Sequence, residues 1–102
     1  MPLAIQQMHD ATLVAVRFDW LSRTCAFEFA GAPSLLEPFV VEFSGVTELV
    51  VPAREEWGPS DSVLEVIDQG GGRFDFSMQS GDIIRVVAPN NSFKPTPLRG
   101  AA

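Results

Sequence analysis

The sequence predicts an all-β protein, a small antiparallel β-sandwich or partly open barrel of about seven strands. Three triplets carry the prediction: Phe27-Glu28-Phe29, Val41-Glu42-Phe43 and Phe74-Asp75-Phe76. Each alternates large apolar, acid, large apolar, the period of a strand with one buried and one wet face. The same alternation recurs through most of residues 11–88, where helix-period patterning is weak. Short apolar runs divided by Gly, Pro, Ser and Asp favour antiparallel pairing over a parallel sheet with crossover helices.

The first strand is expected from Ala11 to Asp19, with Val14, Val16 and Phe18 on one face. A short connection, Trp20 to Arg23, leads to a second strand from Thr24 to Ala30, so the two read as a hairpin. After the break at Gly31-Ala32-Pro33-Ser34, a third strand runs from Phe39 to Ser44, and a fourth from Thr47 to Val51 ends at Pro52. Val63 to Asp68 is the fifth, and Gln69-Gly70-Gly71-Gly72 turns the chain into the sixth, Arg73 to Gln79. Ser80-Gly81 signals a tight hairpin into the seventh, Ile83 to Ala88, whose sparse polar face suggests a central strand. Met1 to Met8 fits either a helical turn or an edge strand. Val14, Val16, Phe27, Phe29, Phe43, Phe74, Phe76 and Ile84 are the expected core.

At 102 residues the chain is the size of one domain, read as a single β domain over 1–88 and a poorly ordered tail over 89–102, where Pro89, Pro95 and Pro97 punctuate polar sequence. The longest apolar run, Leu13-Val14-Ala15-Val16, is too short to span a bilayer, and Met1 to Asp10 shows no secretory pattern. Cys25 has no cysteine partner in the chain, which makes a reducing cytoplasm the expected location.

Net charge is −6 and unevenly spread. Residues 37–68 hold eight acids against Arg54 alone, giving −7; the remainder holds five acids and six bases, giving +1. Phosphate-backbone binding needs clustered Lys and Arg, so nucleic acid is a poor partner and a basic protein a better one.

Catalytic constellations are wanting. His9 is the only histidine, too little for a multi-histidine metal site, and Asp10 or Thr12 beside it reads as a turn cap. Cys25, on an apolar strand face beside Phe27, reads as a buried structural thiol. Ser60-Asp61-Ser62 has no neighbouring histidine. Gly70-Gly71-Gly72 lacks the Lys-Ser/Thr of a phosphate loop and reads as a hairpin needing positive φ. Glu28, Glu42 and Asp75 read as solvated faces of strands rather than a glycosidase pair. No catalytic, cofactor or metal residue is therefore assigned, and the expectation is a protein that is not an enzyme.

The loop from Pro52 to Ser62 holds Trp57 among charges and prolines. A tryptophan there is either a plug over the sandwich end or an exposed anchor for a partner, and the plug is preferred because a small core needs the apolar area. Glu48, Glu55, Glu56, Trp57, Asp61 and Glu65 form the candidate partner-binding set, provided they converge on one face.

Three segments carry a resemblance: His9-Asp10-Ala11-Thr12-Leu13, Trp57-Gly58-Pro59-Ser60 and Met78-Gln79-Ser80-Gly81-Asp82-Ile83. Over about residues 9–88 the chain resembles a family of small uncharacterised bacterial all-β proteins, and in layout is loosely similar to immunity proteins of bacterial toxin systems. The resemblance implies a bacterial, cytoplasmic, non-enzymatic protein and supplies no site residues.

Two functions follow as expectations. The first is an acidic protein-binding module, of the kind that inhibits a basic partner as an immunity protein does. The alternative is a small-molecule or carbohydrate-binding β-sandwich using Trp20, Trp57 and Phe93. An open sheet edge would also allow pairing with a second copy.

Overall fold

A computed structural model describes residues 3–98. Eight strands follow in order: β1 (Thr12–Asp19), β2 (Thr24–Gly31), β3 (Phe39–Phe43), β4 (Glu48–Val50), β5 (Val63–Gly70), β6 (Arg73–Met78), β7 (Ile83–Val87) and β8 (Pro95–Pro97). They build two four-stranded antiparallel sheets, ordered β1-β2-β3-β8 and β4-β7-β6-β5, which do not close into a barrel. β7 lies inside its sheet, as its sparse polar face suggested. The undecided N-terminus holds a short 3₁₀ turn, Ile5–Gln7, while Met1 and Pro2 lie outside the described residues.

The outer members of the three triplets are buried, as the alternation requires. Phe27 stacks on Phe76 across the sandwich at 4.2 Å between ring centroids, Phe29 on Phe39 at 4.9 Å, and Phe43 tilts against Phe74 at 5.2 Å. These six rings fill the space between the sheets. The acids between them differ: Glu28 pairs with Arg17 at 2.7 Å, Glu42 is exposed, and Asp75 is buried beneath Arg73 and Arg85.

Three expectations are corrected. Val14 is exposed rather than core, because the register passes from Leu13↔Phe29 to Ala15↔Glu28 and leaves it as the extra residue of a bulge. Beyond the bulge Val16 is only half-buried and Phe18 is exposed, since β1 is a sheet edge. The segment beyond Ala88 adds an eighth strand: Val41 pairs Pro95 and Phe39 pairs Pro97, at an edge where missing proline N–H groups cost the ladder little. Phe93 packs 6.5 Å from Phe74 and 6.4 Å from Phe76, so this part of the expected tail belongs to the sandwich. Residues 99–102 of that tail lie outside the described residues.

The glycine hairpin behaves as read. Gly72 has φ +84°, and a Cβ there would stand 2.6 Å from the Pro89 Cα, so no side chain fits. Among the described residues no helix is long and apolar enough to cross a membrane.

Candidate functional site

β4 and β5 are opposite edges of one sheet, so the Pro52–Ser62 loop must cross the end of that sheet, over the β6–β7 hairpin. Asp82 of the hairpin clasps it. One carboxylate oxygen accepts the Arg54 N–H at 2.8 Å; the other accepts the Glu55 N–H at 3.0 Å and the Ser80 hydroxyl at 2.7 Å. The Ser80 hydrogen bond first, then the backbone amides, hold the Asp82 carboxyl below the usual carboxylate range. Further along, the Trp57 N–H donates to the Ser80 carbonyl at 2.9 Å and the Gly58 N–H closes a turn onto the Glu55 carbonyl at 3.0 Å. The loop then meets the other sheet, where the Leu13 N–H donates to the Asp61 carbonyl at 2.8 Å.

Trp57 is not the preferred plug. It is 71% exposed, its indole laid over Gly81 outside the hairpin. Six phenylalanines occupy the space between the sheets, and Trp57 stays outside it.

On one side the sandwich is open between the edge strands β1 and β4. A groove of about 470 Å³ lies there, with Leu13, Val14 and Val16 on the β1 wall and Val51, Met78 and Ile84 on the other, and Glu55 and Asp61 among its lining. Farther along the same two walls a cleft of about 510 Å³ is lined by Phe18, Trp20, Arg23, Leu49 and Glu48. In that cleft Arg23 lies 3.8 Å over the Trp20 ring, and Phe18 meets Trp20 edge-on at 6.2 Å. Val14 at 64%, Trp20 at 69% and Val51 at 47% exposure cluster on this side, while Leu36, Leu64, Ile67 and Leu98 are exposed elsewhere. On a protein this small, such clustering marks an interaction surface more often than scattered exposure does.

The six candidate partner-binding residues are all exposed but do not form one patch. Glu55, Glu56 and Trp57 share one turn, with Asp61 on the same groove. Glu48 stands by the Trp20 cleft, at the far end of the open side. Glu65 lies on β5, the opposite edge of the sheet from β4, in register with Ser77. Trp20, Trp57 and Phe93 do not converge either: Phe93 packs against the core, and the two tryptophans sit on different turns.

Sequence reading missed Val14, Val51 and Asp82. The run Leu13-Val14-Ala15-Val16 contains no polar residue to set its phase, so its bulge was invisible. The Ser80-x-Asp82 spacing, a hydroxyl bonded to a carboxylate within one hairpin, was the available sign that Asp82 holds something. Among the described residues no group of three or more His, Cys, Asp or Glu could hold a metal ion.

The chain matches no protein-family model, no curated protein and no solved structure.

Proposed function

We propose that this protein is a protein-binding module that uses its open side to hold a basic partner. The observation that carries this is the apolar groove between β1 and the loop, with Glu55 and Asp61 in its lining and Glu48 beyond its far end. Among the cations nearby, Arg17 is paired with Glu28, Arg23 is stacked on Trp20, and Arg54 shares its loop with Glu55, Glu56 and Asp61. Apolar contact supplies the affinity of such a surface, while carboxylates steer a basic partner and repel acidic ones. Trp57, exposed beside the groove, extends the apolar contact. A module of this kind inhibits its partner by covering a basic functional surface, the immunity-type role, and a bacterial cytoplasm is the setting we propose for it.

The test is binding to an array of extended peptides that vary in net charge. Wild type should prefer basic, apolar-containing peptides, and the preference should fade as salt rises past about 0.1 M. Glu55→Lys with Asp61→Lys should abolish the preference, while Glu42→Lys, on the outer face of the β1 sheet, should preserve it. Equal capture by all three proteins would remove the groove as the binding site.

A second proposal, a small-molecule or carbohydrate binder, rests on the Trp20 cleft. One face of that indole is already covered by Arg23, which leaves less ring for a sugar to stack on.

A further inference from the structure

We infer that the basic partner enters this groove as an extended segment that adds a strand to the free edge of β1, an inference that rests on the protein-binding role proposed above. β1 has β2 on one side only. Beyond Leu13, whose N–H is taken by Asp61, no strand or loop of the described residues lies along its outer edge. The stretch from Val14 to Asp19 thus presents roughly 20 Å of unpaired backbone at the spacing of a strand. Proteins usually blunt such an edge with a bulge, proline, lysine or a covering loop. Here the bulge and the covering loop stop at the first third of the strand, and the rest stays open.

The groove runs beneath that same edge. A segment paired to β1 would send alternate side chains inward against Val16, Val51 and Ile84, and the others outward over Ala15 and Arg17. Its inward end beside the loop would approach Glu55 and Asp61, whereas Glu48, in register with Val87, turns to the outer face of its sheet beside Arg73. That arrangement calls for apolar inward positions with a basic one at the Glu55 and Asp61 end, and a lysine at each end of a segment serves either strand direction. Strand addition draws affinity from main-chain hydrogen bonds and specificity from alternate side-chain pockets, and this edge offers both. A second copy of the chain is a poorer occupant. Each copy carries a net charge of −6, so two copies repel one another.

The probe is the capped peptide Lys-Thr-Val-Thr-Val-Thr-Lys, titrated at low ionic strength by calorimetry, together with two N-methylated forms. One carries N-methyl groups on both valines, the other on the first two threonines. Alternate residues of a strand point their N–H groups to opposite edges, so only one form should be impaired. Parent binding with a loss of about tenfold or more in one form, and less than about twofold in the other, supports strand addition. Equal binding by all three peptides, lost in Glu55→Lys with Asp61→Lys, would overturn strand addition and keep the groove. Absence of parent binding up to about 1 mM would overturn strand addition as well, and the charge-varied array then judges the groove separately.

Discussion

Trp57 rests on Gly81 because nothing larger than glycine leaves room: a Cβ at Gly81 would stand 2.9 Å from the indole Cδ2. Gly81 also has φ +96°, a conformation that L side chains rarely adopt. The one position therefore shapes the β6–β7 hairpin and seats the tryptophan above it.

Gly81→Ala should consequently act on both. Thermal unfolding should show a loss of about 1–3 kcal/mol, from backbone strain and the displaced ring. In a Trp20→Phe background, the emission of Trp57 should shift red as the indole leaves its seat. Unchanged emission and stability would mean that the contact with Gly81 does not hold Trp57.

Asp82 and Asp75 make the fold sensitive to acid. The Asp82 carboxyl is held low by Ser80 and by the Arg54 and Glu55 amides. Burial pushes the Asp75 carboxyl up, but hydrogen bonds from Arg73 and Gln69 and the charges of Arg73 and Arg85 outweigh it and hold it below its ordinary value. A carboxyl with a folded-state pKa below its unfolded value, about 3.9 for aspartate, stabilises the fold above that value and loses the contribution as pH falls through the folded one. Stability should therefore be flat near neutrality and fall at about pH 4 and below. Asp82→Asn should flatten that acid limb and speed amide hydrogen exchange at Arg54 and Glu55. A variant with the wild-type acid profile and wild-type exchange would show that Asp82 does not clasp the loop.

Phe76 is the most connected ring of the core, stacked on Phe27 at 4.2 Å and within 6.4 Å of both Phe43 and Phe93. Phe76→Ala should cost on the order of 3–5 kcal/mol in chemical denaturation, from lost burial and the cavity left between the sheets.

Cys25 should be inert in the folded protein. Burial pushes its thiol up to about 11, so very little thiolate exists at pH 8. A disulfide-exchange reagent at that pH should label Cys25 only after denaturant is added, and rapid labelling of the native protein would show that β2 opens to solvent.

The sandwich was legible wherever large apolar residues alternate strictly with polar ones, as at Phe27-Glu28-Phe29 and Phe74-Asp75-Phe76, because a one-residue slip there would turn an acid between the sheets and two phenylalanines out of them. It was not legible at Leu13-Val14-Ala15-Val16, where every phase buries something apolar and the bulge is decided by pairing with β2. β8 was hidden for another reason: two prolines in three residues argue against a strand, and only an edge position with a ready partner in β3 overrides them. The candidate site was half legible. The charges around Trp57 pointed to the loop, but the groove beside it is made of β1, β6, β7 and loop side chains brought together only by the fold.

The C-terminal segment provides the sharpest division between tail and domain. Ending the chain after Leu98 should leave the melting temperature unchanged, since Leu98 already closes the edge by donating its N–H to the Pro38 carbonyl at 3.1 Å. Ending it after Asn90 should lower stability by about 2–5 kcal/mol, because it removes Phe93 from against Phe74 and Phe76 and strips β8 from β3. It also removes Asn91, whose side-chain amide donates to the Ser44 carbonyl at 2.7 Å and whose Oδ1 accepts the Ser44 N–H at 3.0 Å. Phe93→Ala in the full chain separates these contributions: if the ring dominates, the point variant should reproduce most of the loss caused by truncation. Equal melting temperatures for the full chain and the chain ended after Asn90 would return residues 91–98 to the status of a tail.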